Sequence, residues 1–384
     1  MDELKNYIEK TSRSGASYSF RGVHFTDVQW NQPPFHALLL SGDWDFSGAV
    51  FDQNANFSGV AFRKEIRFHD THFRGQATFA CGAFGETAHF IKTRFSGPAS
   101  FNGTYFGGLG NFYEVIFESS VDFTCAKVRG HVWFNGAEPH RCFADTGDFS
   151  RIEFLTGGKL TFENVNLSKA FFDNSDLEQP HFFNVQWYHP VSSFAYRGAA
   201  LWGEFSPEKR ERKFEALAEN YRQLVLNYER RRDYQTADWF HIGEMETRRK
   251  APGAGARFGS LRRFFSLHNA YRLLSNYGTG IWHAFAVLLV VIAALSCLFL
   301  LTGFREAGGS EVIRYIPALR IPSRSLFHDW SRAVLLTIST ATLQRDRPYE
   351  LVGGWSHLVG SVGFIAVAAQ TALLLLAIRR RFRR

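Results

Sequence analysis

The stretch DFSGAVFDQNANFSGVAFRKEIRFHDTHFRGQATF, residues 45–79, decides the fold. Phe46, Phe57, Phe68 and Phe79 stand eleven residues apart, and Phe51, Phe62 and Phe73 lie between them at the same period, so the spacing alternates five and six. Outward from this stretch the first series continues through Phe90, Phe101, Phe112, Phe123 and Phe134, the second through Phe84, Phe95, Phe106 and Phe117. Phe35 and Leu40 extend both series backwards, and Val128 extends the second forwards. Two residues before each ring sits a small or β-branched side chain, among them Ala49, Ala55, Val60, Ile66, Thr71, Gly82 and Val121. Neither a helix nor an alternating strand repeats at five to six residues. A chain that turns a corner after every short rung does. On each rung the ring and the residue two before it point inward together, and a narrow coil holds one bulky ring only beside a small partner.

The whole chain has 384 residues, 40 of them Phe. Phe at this level serves a repeated structural task, and abundant aromatics exclude a disordered chain. Four Cys without a close pair exclude a disulfide scaffold and a Cys-based zinc site. Cys81 and Cys125 fall at the same phase of the repeat, too far apart to bridge across 22-residue coils, and are read as packing residues. Residues 1–200 carry net −4 and residues 201–384 net +12, and every basic residue after Lys250 is Arg. That split suggests a soluble region joined to one that meets phosphate groups on lipid or nucleic acid. The first twenty residues lack the apolar core of a secretory signal, so the N-terminal region is expected in the cytoplasm.

The repeat resembles the pentapeptide-repeat family, whose chain coils into a right-handed, four-sided β-helix. The resemblance covers roughly residues 18–185, and from Phe162 through Leu167, Phe172 and Leu177 the spacing is a strict five. The alternating five and six predicts coils of 22 residues rather than 20, and the register slips across residues 135–160. The expected fold class is therefore mixed: a quadrilateral β-helix, a helical hairpin and a two-span α-helical membrane domain. Expected boundaries are a cap over 1–19, the β-helix over 20–200, the hairpin over 206–250 and the membrane domain over 257–384.

Ser206-Pro207-Glu208 reads as a helix start. Phe214, Leu217, Tyr221, Leu224, Val225 and Tyr228 then form one apolar face. A second helix is expected from about Tyr234 to Arg249 with Ala237, Phe240 and Met245 inward, Asp233 near its start and a basic end. The run from Asn227 to Arg249 resembles the helical hairpin that joins coil to membrane part in bacterial membrane-bound pentapeptide-repeat proteins.

Residues 281–301 and 355–378 are uncharged and long enough to span a bilayer, and the second ends at Arg379-Arg-Arg-Phe-Arg-Arg. The approach over 257–280 holds four Arg in 24 residues and the tail over 379–384 five in six, against seven in the 53 residues between the spans. That density favours both termini on the cytoplasmic side, and the resemblance implies the plasma membrane of a bacterium. Between the spans, residues 325–343 are too short and polar to cross and read as a re-entrant or interfacial helix. Span, short helix, span is the layout of two-transmembrane channels, and Thr337-Ile-Ser-Thr340 resembles the threonine-rich end of their pore helix. The Gly-Tyr-Gly of potassium filters is replaced by Ala341-Thr-Leu-Gln, so potassium selectivity is not implied.

Pore-lining candidates are Thr337, Ser339, Thr340, Thr342, Arg345, Arg347 and Gln370, and helix-packing candidates are Ser356 and Gly360. The bland alternatives are hydroxyls bonded back to their own helix and a Gln370 that ties helices together. His69, Asp70 and His72 invite a metal reading but fall on outward turn positions that are polar throughout the repeat. No catalytic spacing or phosphate loop stands out, so neither enzyme nor cofactor is expected. Partners expected are the bilayer, further copies of the chain, and a cytoplasmic protein or small molecule on the β-helix. The acidic face of DNA-mimicking repeat proteins is missing, which sets nucleic-acid mimicry aside. Two function classes remain: an oligomeric channel-like protein with a sensing β-helix, and a membrane-tethered scaffold without conduction.

Overall fold

A computed structural model describes residues 17–26, 30, 42–136, 142–190, 197–206, 214–251, 267–315, 326–342, 344 and 347–382. The chain divides into two compact units, residues 1–251 and 252–384.

The first unit contains a β-solenoid of about seven turns. Its longest ladder stacks eight parallel strands, at Tyr18–Ser19, Trp44–Asp45, Ile66–Arg67, Ala88–His89, Leu109–Tyr113, His131–Asn135, Lys159–Glu163 and His181–Phe183. Three further parallel ladders of six, five and five strands complete the coil. Trp44 pairs with Ile66, Ile66 with Ala88, Ala88 with Gly110 and Gly110 with Val132, so each of these coils contains 22 residues. The slip also resolves. Phe117 pairs with Phe143 and Val128 with Phe154 at a separation of 26, and Val132 pairs with Leu160 at 28. Four extra residues therefore enter between Phe134 and Phe143, and two more between Phe154 and Leu160. Beyond them Phe162 pairs with Phe182 at 20.

The rings form vertical stacks inside the coil. Phe46, Phe68, Phe90, Phe112 and Phe134 follow one another at centroid distances of 5.2, 5.1, 4.8 and 4.6 Å with nearly parallel planes. Phe57, Phe79, Phe101 and Phe123 form a second stack at 5.0, 4.9 and 4.7 Å. Parallel β-rungs repeat at about 4.8 Å, so rings on successive rungs meet face to face without adjustment. Below Phe57 the stack ends on Trp30, at 5.5 Å, in the place the period assigns to Phe35. Phe35 and Leu40 themselves lie outside the described residues. Where the small inward residue is Thr, its buried hydroxyl has a partner: Thr71, Thr93 and Thr104 donate to the carbonyls of Phe46, Phe68 and Phe79 at 2.6–2.8 Å.

Every eleventh residue turns a corner with positive φ, at Gly48, Gly59, Asp70, Cys81, Lys92, Gly103, Glu114 and Cys125. The tight turn closes by a hydrogen bond from the next residue to the preceding Phe carbonyl, as from Ala49 N to Phe46 O at 2.9 Å. Cys81 and Cys125 are therefore corner residues. Both thiols are free, as the spacing predicts; Cys81 is exposed, which corrects its reading as a packing residue, and Cys125 is half-buried.

Helices α1 (Phe214–Arg230) and α2 (Tyr234–Lys250) pack on each other and close the last coil. The expected start at Ser206 adjoins residues 207–213, outside the described residues. Ser206 itself is buried, just beyond a single 3-10 turn at Trp202–Glu204. Asp233 caps α2 by accepting from Thr236 N, and Ala237 and Phe240 point inward, whereas Met245 is only half-buried. The hairpin binds the solenoid end through side-chain amides. Asn220 donates to Phe172 O, Asn227 to Leu177 O and Pro180 O, and Gln223 accepts from Leu177 N, all at 2.8–2.9 Å. These groups take the place of the next coil, since a buried strand edge cannot leave its polar groups unpaired.

The second unit holds α3 (Leu267–Ser275), α4 (Ile281–Thr302), α5 (Leu326–Ala341) and α6 (Gly354–Arg381). Helices α4 and α6 are long and apolar enough to cross a membrane. They pack on each other, and α5 packs on both. Most of their apolar surface faces outward, including Trp282, Val290, Trp355 and Ile365, which argues against core helices of a soluble protein. The segment between the spans also contains a three-stranded antiparallel sheet, Phe304–Glu306 between Val312–Ile313 and Tyr349–Leu351, held at its surface by Arg305 and Glu350 at 2.6 Å. These strands are only two or three residues long, and the sequence reading did not anticipate them.

Candidate functional site

Two hydroxyl residues of the second unit meet where α5 packs on α4. Thr337 and Ser296 are both buried, with their hydroxyls 3.1 Å apart. Each also donates back along its own helix, Thr337 to Ala333 O at 2.9 Å and Ser296 to Ile292 O at 2.7 Å. Ser339 and Thr340 donate to Leu336 O, and Thr342 donates to Ile338 O. A helix in an apolar setting satisfies hydroxyls in this way, since no water is at hand. Arg347 donates to Gln344 O, and Arg345 lies outside the described residues. The apolar side chains Leu335 and Ile338 are exposed on α5.

Gln370 sits deep in α6, buried, and its amide donates to Leu274 O of α3 and Ala284 O of α4, both at 2.8 Å. One side chain thus joins three helices. Ser356 donates to Gly303 O at 2.7 Å, fixing the start of α6 against the end of α4. Gly360 gives close approach: a Cβ there would stand 2.9 Å from Leu351 Cδ1. Gly363 does the same against Leu295, at 3.0 Å. The spacing Ser356, Gly360, Gly363 is a small-residue face of the kind that lets membrane helices touch.

The first unit carries two arrangements that the sequence did not reveal. One is a buried ionic node at the foot of the hairpin. Glu204, 2% exposed, accepts from Arg197 at 2.8 Å, from Tyr221 OH at 2.7 Å and from Lys250 Nζ at 2.7 Å. Burial pushes the Glu204 carboxyl up, but the Arg197 and Lys250 cations outweigh it and hold it below its ordinary range. Burial and the adjacent carboxylate push the Tyr221 phenol well above its usual value. The four residues are scattered over 54 positions with no spacing signal, so only the packing of α1 and α2 brings them together.

The other is a cavity of about 380 Å³ between the last coil and the hairpin. Phe183, Asn184, Trp187, His189, Arg231 and Trp239 are among the residues lining it. The histidines singled out on the coil lie elsewhere. His72 pairs with Ser96 Oγ at 2.9 Å, and His69 packs edge-on to His89 at 5.2 Å. Burial, then neighbouring arginines, lowers the His72 pKa. Among the described residues no three His, Cys, Asp or Glu side chains converge as a metal site.

Comparison with protein-family models, with curated proteins and with solved structures finds no match. The class that the fold defines is thus a β-solenoid protein with two helices suited to membrane association.

Proposed function

We propose that the chain is a multi-pass protein of the bacterial plasma membrane, with both termini cytoplasmic, whose copies assemble a channel-like pore. In this reading the first unit is a right-handed, four-sided pentapeptide-repeat solenoid that senses a cytoplasmic ligand or partner and biases the pore through the hairpin. Helix α5 is then re-entrant, and Thr337, Ser339, Thr340, Thr342, Arg345, Arg347 and Gln370 border the path. The observation that carries the reading is the packing of a 16-residue helix against both apolar helices, with the Thr337 hydroxyl beside Ser296 of α4 at that contact. The pore is not potassium-selective by motif, and the chain performs no catalysis.

One observation favours a second reading, a membrane-tethered scaffold without conduction. Every hydroxyl of α5 named above already bonds to its own helix, and the Gln370 amide nitrogen donates to two backbones, so these donors are all taken within one copy. The mass of the intact protein in nanodiscs, followed by ion flux in liposomes, separates the two. A closed ring of copies that passes ions, with flux changed by Thr340→Val, supports the pore. A monomer, or a ring that passes no ion with or without ligand, supports the scaffold, because two spans cannot enclose a path.

A further inference from the structure

We infer that the cavity between the last coil and the hairpin is a ligand site for a planar aromatic anion of the size of a purine mononucleotide. Its volume, about 380 Å³, lies within the range of about 300–1,000 Å³ typical of small-molecule sites. Its walls are aromatic. Phe183 is 58% exposed, whereas its neighbour Phe182 on the same strand is buried inside the coil. The Trp239 indole lies so close to Gly198 that a Cβ at residue 198 would fall 2.4–2.6 Å from its ring carbons. Glycine at 198 therefore fixes where that wall stands. Trp187 is locked from behind, its indole N–H donating to Tyr228 OH at 2.9 Å and its ring meeting Phe240 edge-on at 5.2 Å. Rings held this way stack on a flat ligand with little loss of side-chain freedom.

The polar groups favour an anion. Arg231 donates one arm to Phe182 O and lies over the Tyr228 ring, which leaves its other N–H groups for the cavity it lines. The solenoid adds a backbone donor. Along this ladder Gly48 N–H donates to His69 O of the next coil, and Asn164 N–H to Phe183 O. At Asn184, which lines the cavity, the same position has no next coil to receive its N–H. The first turn of α2 also meets the cavity, at Thr236, but its N–H there is already taken by Asp233. Asp233, the one carboxylate at the wall, is occupied as the N-cap of that helix.

This inference deepens the sensing role proposed above by naming its site, yet its test reads binding alone. AMP is titrated calorimetrically into the full chain in nanodiscs, with adenosine and inorganic phosphate as separate probes. The expected result is saturable binding at one site per chain, at least tenfold tighter for AMP than for either fragment. Phe183→Ala and Trp239→Ala should each weaken it at least fivefold, and Arg231→Gln at least tenfold, with Arg231→Lys recovering part of the loss. Because Arg231 also holds the last coil, the exposed Phe183→Ala variant, expected to keep the parental melting temperature, is the decisive one. No saturable binding of AMP, binding unaltered in Phe183→Ala, or equal binding of phosphate alone overturns the assignment. AMP binding without ion flux would remove the pore and keep the site, and flux without AMP binding would do the reverse.

Discussion

At the residue scale, the inside of the solenoid is written plainly in the sequence and its corners are not. Large rings every five or six residues can only be buried, so Phe46 to Phe134 announce the coil directly. The corner position is silent, because only Gly48, Gly59 and Gly103 of its eight occupants declare a left-handed backbone, while Asp, Cys, Lys and Glu fill the rest. Gly59 measures what that conformation costs. A Cβ there meets nothing within 4 Å, so Gly59→Ala adds backbone strain alone and should lower unfolding free energy by about 1 kcal/mol in a denaturant titration. The Glu204 node was equally invisible to pattern reading, and it sets an acid limit. A carboxyl held below its ordinary value stabilises the fold above that value and loses the contribution as pH falls through the folded pKa. His89, lowered chiefly by burial, acts in the same sense from about its ordinary 6.5 downward. The melting temperature should therefore fall from pH 7 towards pH 4. Glu204→Gln should flatten the lower part of that fall while reducing stability at pH 7 by about 3–5 kcal/mol, since it leaves Arg197 buried without its counter-charge.

At the element scale, periodicity located α1 and α2 but not their task. Their apolar faces were readable from Leu217, Tyr221, Leu224 and Tyr228. The polar residues that make α1 a lid, Asn220, Gln223 and Asn227, look like ordinary surface amides until the solenoid end is placed against them. Asn227→Asp tests this closely. It preserves shape but turns a donor to Leu177 O, Glu178 O and Pro180 O into a carboxylate facing three carbonyls. The expected loss is about 3 kcal/mol or more, read as a lower unfolding midpoint. Asn227→Ala should lose less. The two long apolar helices show the complementary limit: length and composition marked both of them, whereas the small sheet between them was hidden by strands too short to carry a period.

At the scale of the whole molecule, the exposed Cys81 thiol tests the proposed topology. With Cys125 and Cys297 replaced by Ser, an impermeant maleimide should label Cys81 in inverted membrane vesicles and leave it unlabelled in right-side-out ones; the opposite pattern would invert the proposed topology. The 22-residue register has one more consequence. Because each coil touches only the coils above and below it, the length of the rod is a count rather than a contact. Excising residues 66–87 brings Ala88 onto Trp44 in the place Ile66 held, so the shortened chain should keep its lid and its cavity and melt lower only by the loss of one coil. Removing eleven residues would also keep ring on ring, but it would swing the entry strand half a turn round the axis. The repeat thus behaves as a graduated spacer, in which insertion of whole coils sets reach and insertion of half coils sets direction.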